Sequence, residues 1–296
     1  MKTPIYTGSS VAICTPFCKD GTSVDFEKLG KLIDFQIENG TKAIIVCGTT
    51  GETSTLSLEE HMETVDFSVK QVAGRVPVIA GAGSNDTSAA LALSLSAQKS
   101  GADGLLLVTP YYNKASQLGL IKHFEYIADR VELPIILYNV PTRTGLSFTA
   151  DTYKMLSKHP RINATKEASG DFSLIAQTRA ICGDDLLIYS GNDDQTVAMM
   201  ALGAVGLISV AANIIPQQMS AMCEAALSGD FKRAAEIQLQ YNALLDHLFI
   251  EVNPIPVKTA MKHMGLDNGV LRMPLCAMEA GNEKILLDVM KQTGVL

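Results

Sequence analysis

The 296 residues contain six cysteines (Cys14, Cys18, Cys47, Cys182, Cys223 and Cys276) but no CxxC pair. Cys14 and Cys18 stand far from any run of histidine, and the five histidines are isolated, so no metal site is expected. Scattered thiols in a chain of this length read as reduced and mostly buried, which points to a cytoplasmic protein. Basic residues are scarce. The 24 Lys and Arg against 31 Asp and Glu leave a formal net charge of −7. That excludes general affinity for nucleic acid or anionic membrane, while a small anionic substrate can still meet a local basic group. Charged residues make up only 19% and hydrophobic residues 47%, so disorder is excluded and a large core is expected. Met1–Lys19 lacks the apolar run of a signal peptide. One uncharged stretch, Val197–Ile215, is punctuated by Gly203 and Gly206. It reads as a buried helix, a tight turn and a strand, not as a membrane span. There is no repeat of solenoid length and no low-complexity linker.

What the chain does have is a recurrence of short apolar, β-branched runs over its first 215 residues. They are Val11–Phe17, Ala43–Gly48, Val76–Gly83, Gly104–Pro110, Pro134–Val140, Ile162–Ala168, Leu186–Gly191 and Val205–Val210. Helical spacing separates them, with start signals at Asp25-Phe26-Glu27, Asp86-Thr87-Ser88 and Asn192-Asp193-Asp194, and a capping box at Ser57-Leu58-Glu59-Glu60. Strands with little alternation are buried on both faces, so the sheet is parallel and covered by helices. Eight strands alternating with helices predict a (β/α)8 TIM barrel over 1–224. A doubly wound sheet would instead need a Gly-rich turn after its first strand, where Thr15-Pro16-Phe17-Cys18 stands. Residues 225–296 read as a helical C-terminal region, and helical spacing covers Ala221–Leu227, Phe231–Glu251, Val257–Met264 and Glu279–Lys291.

Barrel enzymes place their chemistry at the C-terminal ends of the strands. There the chain offers Gly48-Thr49-Thr50-Gly51-Glu52, Thr109-Pro110-Tyr111-Tyr112-Asn113, and Tyr138-Asn139-Val140-Pro141-Thr142-Arg143-Thr144-Gly145. Hydroxyls and backbone N–H groups between glycines can hold a small carboxylate, though an ordinary turn has the same composition. A tyrosine at a strand mouth serves equally as a plug of the upper core layer.

The sharpest signal is Ile162-Asn163-Ala164-Thr165-Lys166-Glu167-Ala168-Ser169. Alternation puts Ala164, Lys166 and Ala168 on one face and Glu167 on the other. If that face is the interior, the lysine enters the barrel between two alanines and needs a reason to be there, because burying an isolated ammonium is expensive. Two reasons stand: a free amine poised for imine formation with a carbonyl compound, or a structural pair with a core carboxylate other than Glu167. The loops after strands seven and eight, Gly191-Asn192-Asp193-Asp194 and Ala211-Ala212-Asn213, carry no basic group, which disfavours a phosphorylated substrate. Arg143 suits bidentate recognition of a carboxylate.

Taken together, these motifs and the late Arg272-Met273-Pro274-Leu275 resemble the N-acetylneuraminate lyase superfamily of pyruvate-dependent lysine-imine lyases. Within it, they resemble the dihydrodipicolinate synthase (4-hydroxy-tetrahydrodipicolinate synthase) family of the bacterial diaminopimelate–lysine pathway, over essentially the whole chain. The resemblance implies condensation of pyruvate, held as an imine on Lys166, with L-aspartate 4-semialdehyde, and no metal or diffusible cofactor. It assigns pyruvate-carboxylate binding to Thr49 and Thr50, and a hydroxyl relay to Thr49, Tyr138 and Tyr112, the last reaching a neighbouring subunit's site. Arg143 would bind the aldehyde's carboxylate, and Gly191 and Ile208 would line the pocket. A homo-oligomer, commonly a tetramer built as a dimer of dimers, follows from the shared tyrosine. An allosteric cleft at Thr53, Ser54, His61, Asn85 and Tyr111 is also implied. Lysine-inhibited members carry a histidine where this chain has Leu58 and an acid where it has Ala89, so weak or absent lysine feedback is expected. A related aldolase acting on a sugar acid, and a keto-acid-binding barrel without catalysis, are the alternatives.

Overall fold

The computed structural model describes residues 1–296. Eight parallel strands close into a barrel in sequence order: β1 (Gly8–Ala12), β2 (Ile44–Val46), β3 (Val78–Gly81), β4 (Gly104–Val108), β5 (Ile135–Asn139), β6 (Ile162–Glu167), β7 (Leu187–Ser190) and β8 (Gly206–Ser209). The helices of the alternating units are α1 (Phe26–Glu38), α2 (Leu58–Val72), α3 (Thr87–Ser100), α4 (Gln117–Ala128), the short α5 (Pro141–Thr144), α6 (Ala150–Leu156), α7 (Phe172–Cys182) and α8 (Thr196–Ala201). Four more follow: α9 (Pro216–Leu227), α10 (Phe231–His247), α11 (Ile255–His263) and α12 (Ala280–Gln292). The (β/α)8 barrel with a helical C-terminal region is therefore the observed architecture.

The start signals act as their chemistry dictates. Asp25 and Asp86 accept from the first-turn amides of α1 and α3, and Ser57 with Glu60 forms the complete capping box of α2. Two expectations are corrected. The first strand lies at Gly8–Ala12 rather than Val11–Phe17. Its inward Ser10 is polar but satisfied by Tyr6 and the Leu207 carbonyl, so hydropathy alone places the strand too late. The second concerns Asn192-Asp193-Asp194. The helical stretch does open there, as a 3-10 turn over Asp193–Gln195 that runs directly into α8 at Thr196, but neither Asn192 nor Gln195 caps it with its side chain. Asp193 turns inward instead and accepts from the Ser209 hydroxyl (2.5 Å) and from the amides of Val210 and Ala211 (both 3.0 Å). It caps the turn after β8 rather than its own helix.

Inside the barrel pack Ala12, Ile45, Ile79, Leu106, Ile136, Tyr138, Ala164, Tyr189 and Ile208. A second, larger core fills the space between strands and helices and continues into α9–α12. The helix α9 packs on β1, α10 lies on α9, and α12 touches both α10 and α11. No helix is long and apolar enough to cross a membrane.

Candidate active site at the C-terminal mouth of the barrel

Lys166 lies on β6 with Tyr138 of β5 as its register partner, so both side chains enter the barrel at one level. Lys166 is 5% exposed, and its Nζ stands 4.4 Å from the centroid of the Tyr138 ring. Glu167 leaves the same strand in the opposite direction, into the layer between barrel and helices. There it accepts from Asn139 Nδ2, the Tyr153 hydroxyl and the Ser169 amide. Burial pushes the Glu167 carboxyl up, against these hydrogen bonds. The only route from Glu167 to Lys166 is thus through the strand itself, as alternation requires.

Around Lys166 opens a cleft of about 890 Å³ lined by Thr49, Thr50, Tyr138, Arg143, Ala168, Gly191, Val210 and the segment Phe249–Asn253, among others. Space beside the lysine depends on Gly191. A Cβ there would stand 2.7 Å from the Ala168 Cβ and 3.1 Å from Lys166 Cε. Thr49 and Thr50 arrive on the turn after β2. The hydroxyl of Thr50 accepts from Asn253 Nδ2 at 2.9 Å. Arg143, on α5, is exposed and donates from Nη2 to the Asn253 carbonyl oxygen at 2.9 Å. Asp193, buried beneath the rim, has its carboxyl pushed up by burial, and its three hydrogen bonds and the nearby Lys166 charge pull it back.

The structure therefore brings Lys166, Tyr138, Thr49, Thr50, Arg143 and Gly191 to one cleft. Two expected residues stand apart from it. Ile208 is fully buried in the inner barrel layer below, while Val210, two residues on, lines the cleft. Tyr112 is 90% exposed in the single chain, on a backbone with φ of +73°. Asn253 escaped sequence reasoning. It lies between two helices of the C-terminal region, and nothing in its local pattern foretells a contact with Thr50 some 203 positions earlier.

A second cleft of about 450 Å³ adjoins the first and shares Thr49, Val140 and Arg143 with it. It gathers Thr53, Ser54, Leu58, His61 and Tyr111. His61 donates from Nε2 to the Gly81 carbonyl, and burial lowers its pKa. Asn85 is not part of the lining, and its carbonyl accepts from Asn113 Nδ2. No cluster of three or more His, Cys, Asp or Glu is disposed to hold a metal ion.

Residues 5–293 match the model of the dihydrodipicolinate synthetase family. The chain belongs to that family. The 4-hydroxy-tetrahydrodipicolinate synthase of Thermoanaerobacter sp. (strain X514) is 52% identical over 294 residues, covering 99% of this chain and 98% of the relative. Among solved structures, the dihydrodipicolinate synthase of Aquifex aeolicus superposes with a TM-score of 0.95 at 46% identity, covering 98% of both chains. A chloride-inhibited dihydrodipicolinate synthase from Acinetobacter baumannii, complexed with pyruvate, superposes with a TM-score of 0.96 at 43% identity, covering 98% of this chain and 99% of that one. Membership in this family makes the cleft around Lys166 the candidate active site.

Proposed function

We propose that this chain condenses pyruvate with L-aspartate 4-semialdehyde to give 4-hydroxy-tetrahydrodipicolinate, with Lys166 as the imine-forming amine. The observation that carries this reading is a buried lysine, flanked by small residues, facing Tyr138 in a cleft that also holds Thr49, Thr50 and Arg143. The Lys166 amine adds to the pyruvate carbonyl carbon, and the carbinolamine hydroxyl takes up a proton and leaves as water, giving a protonated imine. Its positive nitrogen withdraws electrons, so the pyruvate methyl loses a proton and an enamine forms. The enamine carbon attacks the aldehyde carbon, whose oxygen takes up a proton. The amine of the second substrate then adds to the imine carbon, closes the ring and expels Lys166.

Each step moves a proton, which suits hydroxyl groups that donate and accept in turn. Tyr138 and Thr49 occupy that place, and Tyr112 joins them from a neighbouring subunit. Thr49 and Thr50 hold the pyruvate carboxylate, Arg143 the carboxylate of the aldehyde, and Gly191 leaves room for the adduct. The exposure of Tyr112 supports a homo-oligomer, a tetramer built as a dimer of dimers, and an acidic protein with free thiols suits the cytoplasm. The chemistry requires no metal and no diffusible cofactor.

The test is the mass of the intact protein after incubation with pyruvate and borohydride, followed by peptide mapping. One reduced adduct on Lys166, absent from a folded Lys166→Ala variant, is expected. A folded oligomer without any adduct would overturn the lyase reading in favour of a keto-acid-binding barrel.

A further inference from the structure

The Thr49–Thr50 turn lies between two strained backbone positions and adjoins a charged cluster that the chemistry above does not use. Cys47 (φ +54°) and Glu52 (φ +52°) flank it, both non-glycine residues in the left-handed region. Such residues persist only where their surroundings over-determine them. Here the surroundings are distant in sequence. Lys258 of α11 is fully buried, and its Nζ donates to Glu52 Oε1 at 2.7 Å and to the Thr15 carbonyl at 2.9 Å. The Thr15 hydroxyl in turn donates to the Gly51 carbonyl at 2.7 Å. These three bonds join the loop after β1, the turn after β2 and α11 into one closed ring. The other Glu52 oxygen accepts from the Arg272 amide at 3.1 Å, and the Arg272 guanidinium clasps Glu60 with bonds of 2.6 and 2.7 Å. Phe17 lies against both cations, 4.5 Å from Lys258 Nζ and 4.2 Å from Arg272 Cζ. A further carboxylate, Asp267, is buried nearby without a hydrogen-bond partner, within the electrostatic reach of Lys258.

A buried ion pair is weak evidence of a stability role, since apolar residues of the same volume often serve as well. Its placement is the informative feature. Glu52 donates its own amide to the Thr49 carbonyl at 3.1 Å, and Asn253 Nδ2 donates to the Thr50 hydroxyl at 2.9 Å, so the ion pair connects to Thr49 and a separate contact reaches Thr50. We propose that Lys258 is a positioning residue, acting through Glu52 to hold Thr49 and Thr50 in the geometry that receives the pyruvate carboxylate. This rests on the function proposed above for the two threonines.

Removing one partner alone strands a buried charge, so the main variant replaces both, as Glu52→Gln/Lys258→Met. Glu52→Gln alone is the second: it removes the counter-charge, but its one amide oxygen can still accept from Lys258, which also keeps the Thr15 carbonyl, while the bond from the Arg272 amide is lost because the side-chain amide nitrogen is itself a donor. Borohydride trapping on Lys166 is titrated with pyruvate, and steady-state KM values are taken for both substrates. For the folded double variant, half-saturating pyruvate should rise about tenfold, the loss typical of a charge-assisted hydrogen bond, with the aldehyde KM within about threefold of wild type. Glu52→Gln should shift the same way by less. A lower melting temperature with unchanged half-saturating pyruvate would reduce the pair to a structural staple and overturn the proposal. In the wild type, the amides of Gly51–Thr53 should exchange with deuterium as slowly as the barrel strands. Loop-like exchange would overturn it even if neither variant folded. Failure of the wild type itself to trap pyruvate would instead count against the proposed function.

Discussion

Gly191 and Lys166 share one small space, such that a Cβ on the glycine would stand 3.1 Å from the lysine Cε. The same atom would meet the Ala168 Cβ at 2.7 Å and the Glu167 carbonyl at 3.1 Å, and the last of these is backbone that cannot swing away. A Gly191→Ala variant should fold, yet form the borohydride-trapped pyruvate adduct at least about tenfold more slowly, since small displacements of a reacting group carry large rate penalties. Wild-type trapping kinetics in that variant would show that the lysine has room to spare.

Arg143 should separate the two halves of the reaction. Its guanidinium donates to the Asn253 carbonyl and is otherwise open to the cleft. Arg143→Ala should leave trapping of pyruvate on Lys166 intact while raising the KM for aspartate semialdehyde by about tenfold or more. Equal loss in both half-reactions would remove the assigned role.

Tyr112 can be tested by mixing subunits. If its hydroxyl serves the neighbouring site, neither Lys166→Ala nor Tyr112→Phe homo-oligomers should show full activity. Hybrids formed by dissociating and reassembling the two together should contain a site with neither lesion, and activity should exceed that of both parents combined. No gain on proven hybrid formation would place Tyr112 outside the relay.

The second cleft is where the family resemblance would place lysine feedback. Leu58 is 52% exposed at its rim, so this position offers methyl groups where a charged amino acid would need a hydrogen bond. Activity should persist at sub-millimolar lysine, and Leu58→His together with Ala89→Glu should increase sensitivity. Strong inhibition of the wild type in a steady-state assay would contradict this.

His123 should make the fold sensitive to acid. It is 6% exposed, its Nδ1 pairs with Thr87 Oγ1, its Nε2 has no partner, and burial drives its pKa from 6.5 down to about 4, against a smaller upward pull from Asp86. The folded state thus binds a proton less readily than the unfolded chain. The stabilisation is present above pH 6.5 and is lost as pH falls from there toward about 4, by about 3 kcal/mol at most. Melting temperatures across that window should fall less steeply for His123→Gln than for the wild type, and parallel curves would deny His123 this role.

What the sequence determined by itself is what short-range periodicity and chemistry encode. Eight apolar runs separated by helical spacing imply a parallel barrel, since strands buried on both faces must be covered by helices. Alternation along β6 was enough to put Lys166 and Glu167 on opposite faces, and Ser57 with Glu60 marked the start of α2 within one turn, while closure of the barrel decided that the Lys166 face is the inner one. The tertiary structure decided everything that depends on long-range closure. Only in the closed barrel does Tyr138 become the register partner of Lys166, or Gly191 the neighbour of its side chain. Asp193 reads locally as a helix start and does open a helical turn, yet its carboxylate is taken by three donors at the end of β8 that no local pattern names. Lys258 and Asn253 carry no local signal because their partners, Glu52 and Thr50, lie more than 200 residues away. Such contacts arise when packing of the C-terminal helices brings a cation or an amide against a turn whose own backbone is strained, an outcome no local pattern contains.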